Sequence, residues 1–198
     1  TFTGNSAVRG GGAFQAGGVT TISNSTFTGN SATGLNASVS GQGSGGAIST
    51  QGGSQTTITD SVITGNSAVN GGGGIYYQTN SGGAFMNVTN STISNNAANT
   101  SSDVSGGNGG AFGIFGTGVV TVTNSTISGN TVNGEGGGFY VEGALTLDNS
   151  TVSGNFAAET CGGIKDTNPG GTADQVHMSN STIVNNRAVG NCGGFGVT

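Results

Sequence analysis

Phe27-Thr-Gly-Asn30, followed downstream by Gly45-Gly46-Ala47-Ile48, is the pair of phrases on which the reading of this chain turns. The first phrase occurs seven times, the others being Phe2-Thr-Gly-Asn5, Ile63-Thr-Gly-Asn66, Ile93-Ser-Asn-Asn96, Ile127-Ser-Gly-Asn130, Val152-Ser-Gly-Asn155 and Ile183-Val-Asn-Asn186. From asparagine to asparagine the intervals are 25, 36, 30, 34, 25 and 31 residues. A fixed core alternating with segments of variable length is the pattern of a solenoid whose insertions are confined to its loops.

The second phrase returns as Gly11-Gly12-Ala13-Phe14, Gly73-Gly74-Ile75, Gly109-Gly110-Ala111-Phe112, Gly137-Gly138-Phe139, Gly162-Gly163-Ile164 and Gly193-Gly194-Phe195. A third apolar stretch, such as Val19-Thr-Thr-Ile22 or Ala144-Leu-Thr-Leu147, alternates with period two and is rich in β-branched residues, which suits a strand. Three short strands between glycine and asparagine corners, with no competing helical period, predict an all-β, right-handed parallel β-helix of about seven coils. Residues 1–198 are expected to form one solenoid domain, uncapped at both ends. Phe2, Phe27, Ile63, Ile93, Ile127, Val152 and Ile183 are expected to point inward and stack, each about 4.8 Å above the last. Asn5, Asn30, Asn66, Asn96, Asn130, Asn155 and Asn186 are expected to tolerate a left-handed corner and to bond amide to amide as a ladder.

Forty-three glycines in 198 residues suggest disorder, but only 6% of the chain is charged, and the periodicity overrules the composition. A net charge of −5 with three basic residues, Arg9, Lys165 and Arg187, argues against nucleic-acid binding. No stretch approaches the ~20 consecutive apolar residues that cross a bilayer as a helix, so no membrane span is expected.

Cys161 and Cys192 precede equivalent glycine pairs, and their separation of 31 equals the interval from Asn155 to Asn186. They therefore occupy one corner of consecutive coils. A coil spacing of about 4.8 Å falls inside the Cα separations that a disulfide accepts. The bridge implies an oxidising, extracellular location. Of the Asn-x-Ser/Thr sequons, five belong to the repeat phrase Asn-Ser-Thr, which corner chemistry would generate anyway, so Asn36 and Asn99 are the candidate glycosylation sites.

The paired phrases Phe-x-x-Asn and Gly-Gly-Ala-Ile resemble the repeats of polymorphic outer-membrane proteins, first described in chlamydiae and widespread among bacterial surface proteins. Phe27 to Asn30 and Gly45 to Ile48 match both outright; elsewhere Ile or Val replaces the phenylalanine, and Phe often replaces the isoleucine. The resemblance covers nearly the whole chain. It implies a secreted right-handed parallel β-helix acting as an adhesin-like passenger or surface structure.

No catalytic, metal or cofactor constellation is expected. The acidic residues fall at different repeat positions, one histidine cannot furnish a nucleophilic triad, and the glycine runs lack the aspartates of calcium-binding solenoids. Lys165, Asp166, Asp174 and His177 are the one cluster that could gather on a loop. Threonine and serine flanking the stacked apolar column would form outward files, which leaves ice binding as an alternative function. The chain starts and stops within a repeat, and Thr198 placed before Thr1 nearly completes a coil. Thr1, Phe2, Thr3, Phe195, Val197 and Thr198 are therefore the expected end-to-end interface of an extracellular filament subunit stacking head to tail. An adhesin-like passenger fragment is the other structural reading. Recognition of a surface glycan or cell-surface ligand is expected in the long loops, residues 31–44, 97–108 and 165–179.

Overall fold

The computed structural model describes residues 1–35, 42–98, 107–167 and 176–197. Among these residues there is no helix, and every paired strand is parallel to its neighbours. The chain visits four sheets in a fixed order, which makes it a parallel β-solenoid of about seven coils. Sheet A holds Phe2–Thr3, Thr26–Thr28, Val62–Thr64, Thr92–Ser94, Thr126–Ser128, Thr151–Ser153 and Thr182–Val184. Sheet C holds Phe14–Ala16, Ile48–Gln51, Ile75–Thr79, Phe112–Gly116, Phe139–Val141, Ile164–Asp166 and Phe195–Val197. Sheet D holds Val19–Ser23, Gln55–Thr59, Phe85–Thr89, Val119–Thr123, Ala144–Asp148 and Val176–Ser179.

These are the three strands per coil expected from the sequence, and a fourth joins them. Sheet B consists of two-residue strands that follow the repeat asparagine: Ser6–Ala7, Ser31–Ala32, Ser67–Ala68, Ala97–Ala98, Thr131–Val132, Phe156–Ala157 and Arg187–Ala188. Its inward residue is small. Ala98, Val132 and Ala157 form a core cluster of their own beside the main one. The only trace of this strand in the sequence is an alanine or valine two places after each asparagine.

The main core is built of columns, because in-register parallel strands place equivalent residues directly over one another. In sheet A, Phe27, Ile63, Ile93, Ile127 and Val152 are fully buried, while Phe2 and Ile183 at the outer coils are half-buried and pack against the same cluster. Phe2 stacks on Phe27 with ring centroids 4.5 Å apart. In sheet C the column Ile48, Ile75, Phe112, Phe139 and Ile164 is equally buried, and Phe112 stacks on Phe139 at 4.9 Å.

The corners explain the asparagines and serines. Between sheets A and B the left-handed residue is the one before the repeat asparagine: Gly4, Gly29, Gly65, Gly129, Gly154, and in two coils Asn95 and Asn185, with φ between 54° and 65°. The expectation that the repeat asparagine takes the left-handed conformation is therefore corrected: the residue before it does. The asparagine turns inward instead, and Asn30, Asn66, Asn96, Asn130 and Asn155 are buried. The Oδ1 of Asn96 accepts from both the main-chain N–H (3.0 Å) and the side-chain amide (2.9 Å) of Asn66 in the preceding coil. Its own Nδ2 donates to the Ile63 carbonyl and to Asn130 Oδ1, each at 3.0 Å. The pattern repeats from Asn5 to Asn186.

Between sheets D and A the left-handed residue is Asn24, Asp60, Asn90, Asn124, Asn149 or Asn180, with φ between 47° and 50°. The serine that follows forms a second ladder: the main-chain N–H of Ser61, Ser91 and Ser125 donates to the hydroxyl of Ser91, Ser125 and Ser150 in the next coil. Each serine hydroxyl in turn donates to a carbonyl two residues back. Two buried polar files thus carry their hydrogen bonds along the solenoid axis.

Replacing Asn96 by alanine removes the acceptor of the buried Asn66 main-chain N–H and the bonds to Ile63 and Asn130, while the Asn66 side-chain amide keeps the Phe27 and Thr64 carbonyls. An unsatisfied buried polar group costs roughly 1–3 kcal/mol, so the expected loss is about 2–4 kcal/mol, or roughly 5–15 °C in Tm for a domain of this size. Differential scanning calorimetry of Asn96→Ala checks it; an unchanged melt would remove the ladder from the account of stability.

The interior also holds Tyr77, fully buried, whose hydroxyl has no hydrogen-bond partner among the described residues. Burial pushes that hydroxyl up to about 12. The folded chain then keeps a proton that the unfolded chain, at about 10, has lost. Its contribution to stability is complete below pH of about 10 and falls away as the pH climbs from about 10 to about 12. A near-ultraviolet titration should show a late-ionising tyrosine that Tyr77→Phe removes, with the denaturant midpoint declining over the same interval.

Candidate functional site: the variable face around sheet C

Residues 19–32, 55–68, 85–98, 119–132 and 144–157 carry the chain through sheets D, A and B, and each run is 14 residues long. No coil inserts a residue there. All the length variation lies on the two corners that flank sheet C. The corner from B to C runs from Ala32 to Ile48 in one coil but only from Val132 to Phe139 in another. The corner from C to D is short at Gly52-Gly53-Ser54 and longer at residues 80–84. Strand length is fixed where columns must stay in register, so recognition that differs from coil to coil has only this face on which to develop.

The B-to-C corner holds the glycine phrase. Gly11, Gly45, Gly72, Gly109 and Gly136 have φ between 66° and 79° there, and a Cβ on Gly136 would meet the Phe139 carbonyl oxygen at 2.3 Å. In the next two coils Cys161 (φ 56°) and Cys192 (φ 62°) take this left-handed position, and they form a disulfide with their Cα atoms 4.5 Å apart. The bridge lies over Gly196, where a Cβ would meet both sulfurs at 2.7 Å.

The outer side of sheet C carries an aromatic row. Tyr76, Phe115 and Tyr140 come from three successive coils, with ring centroids 5.0 Å apart between the first two and 5.3 Å between the second two. The Phe115 ring lies across Gly71 and Gly113, whose missing side chains leave it room. Burial pushes the Tyr140 hydroxyl up, an effect partly offset by side-chain hydrogen bonds from Thr167 and Asn108 and reinforced by Glu142 and Glu135. At the C-to-D end of the same face, Gln51, Gly52, Gln78, Thr79, Asn80 and Ser81 line a cleft of about 290 Å³. The Tyr76 hydroxyl donates to Gln78 Oε1 at 2.9 Å, which ties the aromatic row to the cleft.

The other sequence candidates fall as follows. Lys165 and Asp166 are buried on adjacent positions of a sheet C strand and so face opposite sides of it, while His177 is exposed on sheet D. Asp174 lies outside the described residues, as do Asn36, Asn99 and Thr198. Among the described residues no group of three or more His, Cys, Asp or Glu could hold a metal ion. No helix among them is long and apolar enough to cross a membrane. The sequon asparagines Asn24, Asn90, Asn124, Asn149 and Asn180 line the exposed D-to-A corner. The outward columns of sheet A are hydroxyl-rich, with Thr26, Thr92, Thr126, Thr151 and Thr182 in one file interrupted by Val62. In the neighbouring file Thr64 and Ser94 bond each other at 3.1 Å. Sequence reading missed the cleft and the aromatic row. The glycine phrase sets Tyr76 and Tyr140 one place, and Phe115 three places, after Ile75, Phe139 and Phe112, so register alone does not join them; the lean of the Phe115 ring over Gly113 does.

Residues 24–51 and 60–78 match the family model of the Chlamydia polymorphic membrane protein repeat. Each match begins at the left-handed Asn24 or Asp60 and ends in a sheet C strand, so each spans both anchor phrases. No curated protein and no solved structure matches the chain. The matched residues are similar to that membrane-protein repeat, which is consistent with a surface location, and the Cys161–Cys192 disulfide fits the oxidising, extracellular side.

Losing the bridge between Cys161 and Cys192, which closes a loop of about 31 residues, should cost about 2–4 kcal/mol. The left-handed corners add a distinguishing expectation. A Cys161→Ala/Cys192→Ala variant loses the bridge and keeps the strain of a Cβ at positive φ, whereas Cys161→Gly/Cys192→Gly restores the corner of the other coils and should recover on the order of 1 kcal/mol. Urea denaturation of the two variants ranks them; an alanine pair as stable as the glycine pair would refute the strain argument.

Proposed function

We propose that this chain is an extracellular, non-enzymatic surface rod of adhesin-like function, in which the constant sheets D, A and B form the shaft and the face around sheet C makes contact. The single observation that carries this reading is the confinement of every length change to the two corners bordering sheet C. A shaft held by backbone ladders and buried amide files is stiff, because each coil braces its neighbours. A stiff support lowers the entropy that a contact must overcome. The repeat type of surface proteins and the disulfide support the same placement.

A second reading, head-to-tail stacking of copies into a fibre, draws on the outermost coils. Phe2 and Phe14 at one edge are half-buried, and Phe195 and Val197 at the other are exposed, so each edge presents apolar columns and strand backbone able to continue the pattern. In this reading Thr1, Phe2 and Thr3 would meet Phe195, Val197 and Thr198 of the next copy.

Beads coated with the protein and applied to immobilised mucin, fibronectin and epithelial monolayers separate these readings. Retention on at least one surface is expected, falling severalfold when residues 36–41 are removed or the 80–84 corner is cut to the length of its neighbour, and holding with Thr126→Lys on the shaft. Equal retention for all variants would sink the adhesive reading. Electron microscopy of the same preparation at rising concentration shows either fibres or short rods, which decides the stacking question.

A further inference from the structure

The cleft beside Gln78 differs from the rest of the surface in chemistry as well as in shape. Its walls are two glutamines, an asparagine, a threonine, a serine and a glycine, with no charged group. It lies between the short corner at Gly52 and the longer loop at Asn80 in the next coil, so the insertion that lengthens one coil builds one of its walls. Gln51, Gln78 and Phe115 are register partners in three successive strands, which sets their backbones about 4.8 Å apart on one face of the sheet, while the Phe115 ring leans over Gly71 and Gly113 toward Tyr76.

We infer that this cleft and the adjoining aromatic row form a binding site for a neutral oligosaccharide, an inference that rests on the adhesive reading of the sheet C face and gives it a ligand class. A primary amide offers two donors and an acceptor, the complement of a sugar's vicinal hydroxyls. Hydroxyl-rich ligands demand such groups because each buried ligand hydroxyl must recover the hydrogen bonds it loses to water. The apolar face of a pyranose needs a hydrocarbon surface, and Phe115 and Tyr140, both half-buried, supply one on the outer side of the same sheet, joined to the cleft through the Tyr76–Gln78 hydrogen bond. A volume of about 290 Å³ is at the small end for ligand sites and suits one or two sugar rings, with the aromatic row extending the contact along the rod. Charge selects against anionic glycans: the chain carries −5, and Glu142 and Glu135 stand beside Tyr140.

The chain has three tyrosines and no tryptophan, so its intrinsic fluorescence is tyrosine alone: half-buried Tyr140 and Tyr76, whose hydroxyl bonds Gln78 in the cleft, report over a background from Tyr77 in the core. Titration with maltohexaose, cellohexaose, chitohexaose and mannohexaose should give a saturable change with at least one of them. Asn80→Ala, at an exposed loop position, and Gln78→Ala should each weaken that binding about tenfold, while Thr126→Ala on sheet A leaves it unaltered. No saturable change with any probe, in protein whose circular dichroism and melt are native, overturns the site, and so does binding that survives both cleft variants undiminished. Bead retention without sugar binding would remove this site and leave the adhesive rod standing. Sugar binding without bead retention would support the site and remove adhesion.

Discussion

Parallel stacking in register is the constraint from which the rest of this structure follows. A single coil cannot satisfy its own backbone, because its strands are two to five residues long and each pairs only with the coil before and the coil after. The buried side-chain amides obey the same rule. Asn96 is satisfied only because Asn66 and Asn130 lie on either side of it, and Ser91 depends on Ser125 in the same way. Stability is therefore a property of adjacent pairs of coils, and it is hydrogen bonding along the axis, as much as the narrow apolar core, that orders the chain.

The polar interior shows how this arrangement tolerates a composition that would leave most chains unfolded. Glycine is expensive in a strand, but here it occupies corners where a Cβ would strike main chain, as at Gly12, whose Cβ would lie 2.2 Å from the Gly46 carbonyl oxygen. Its entropy is lost at several corners of each coil, and tight corners are gained that keep the coils superimposed. Two coils depart from the glycine rule and use Cys161 and Cys192, so covalent closure takes over at a place where conformational ease is given up.

Much of this was legible beforehand because a column needs the same residue type at the same place in every turn. Phe27, Ile63, Ile93, Ile127 and Val152 announce a buried file through recurrence alone, and the spacing of Cys161 and Cys192 announces a shared corner. Sheet B was hidden because two residues are too few for an alternation, leaving only alanines after the asparagines. The division of labour at the A-to-B corner was also hidden. Both glycine and asparagine accept the left-handed conformation, and only the inward turn of Asn30 and its fellows shows which of the two does so. The face around sheet C was least legible of all: the glycine phrase sets Gln51, Gln78 and Phe115 at one offset from Ile48, Ile75 and Phe112, but their types differ from coil to coil, and recurrence announces nothing where the residue changes.

The 14-residue run through sheets D, A and B has a consequence for how such a rod can change over generations. Because every copy meets its neighbours through identical registers, a whole repeat can be duplicated or deleted by recombination without leaving an amide unmatched or a column out of step. Rod length is thereby separated from sequence drift at the sheet C corners. A lineage can adjust its reach outward and the character of its contact face as two independent variables.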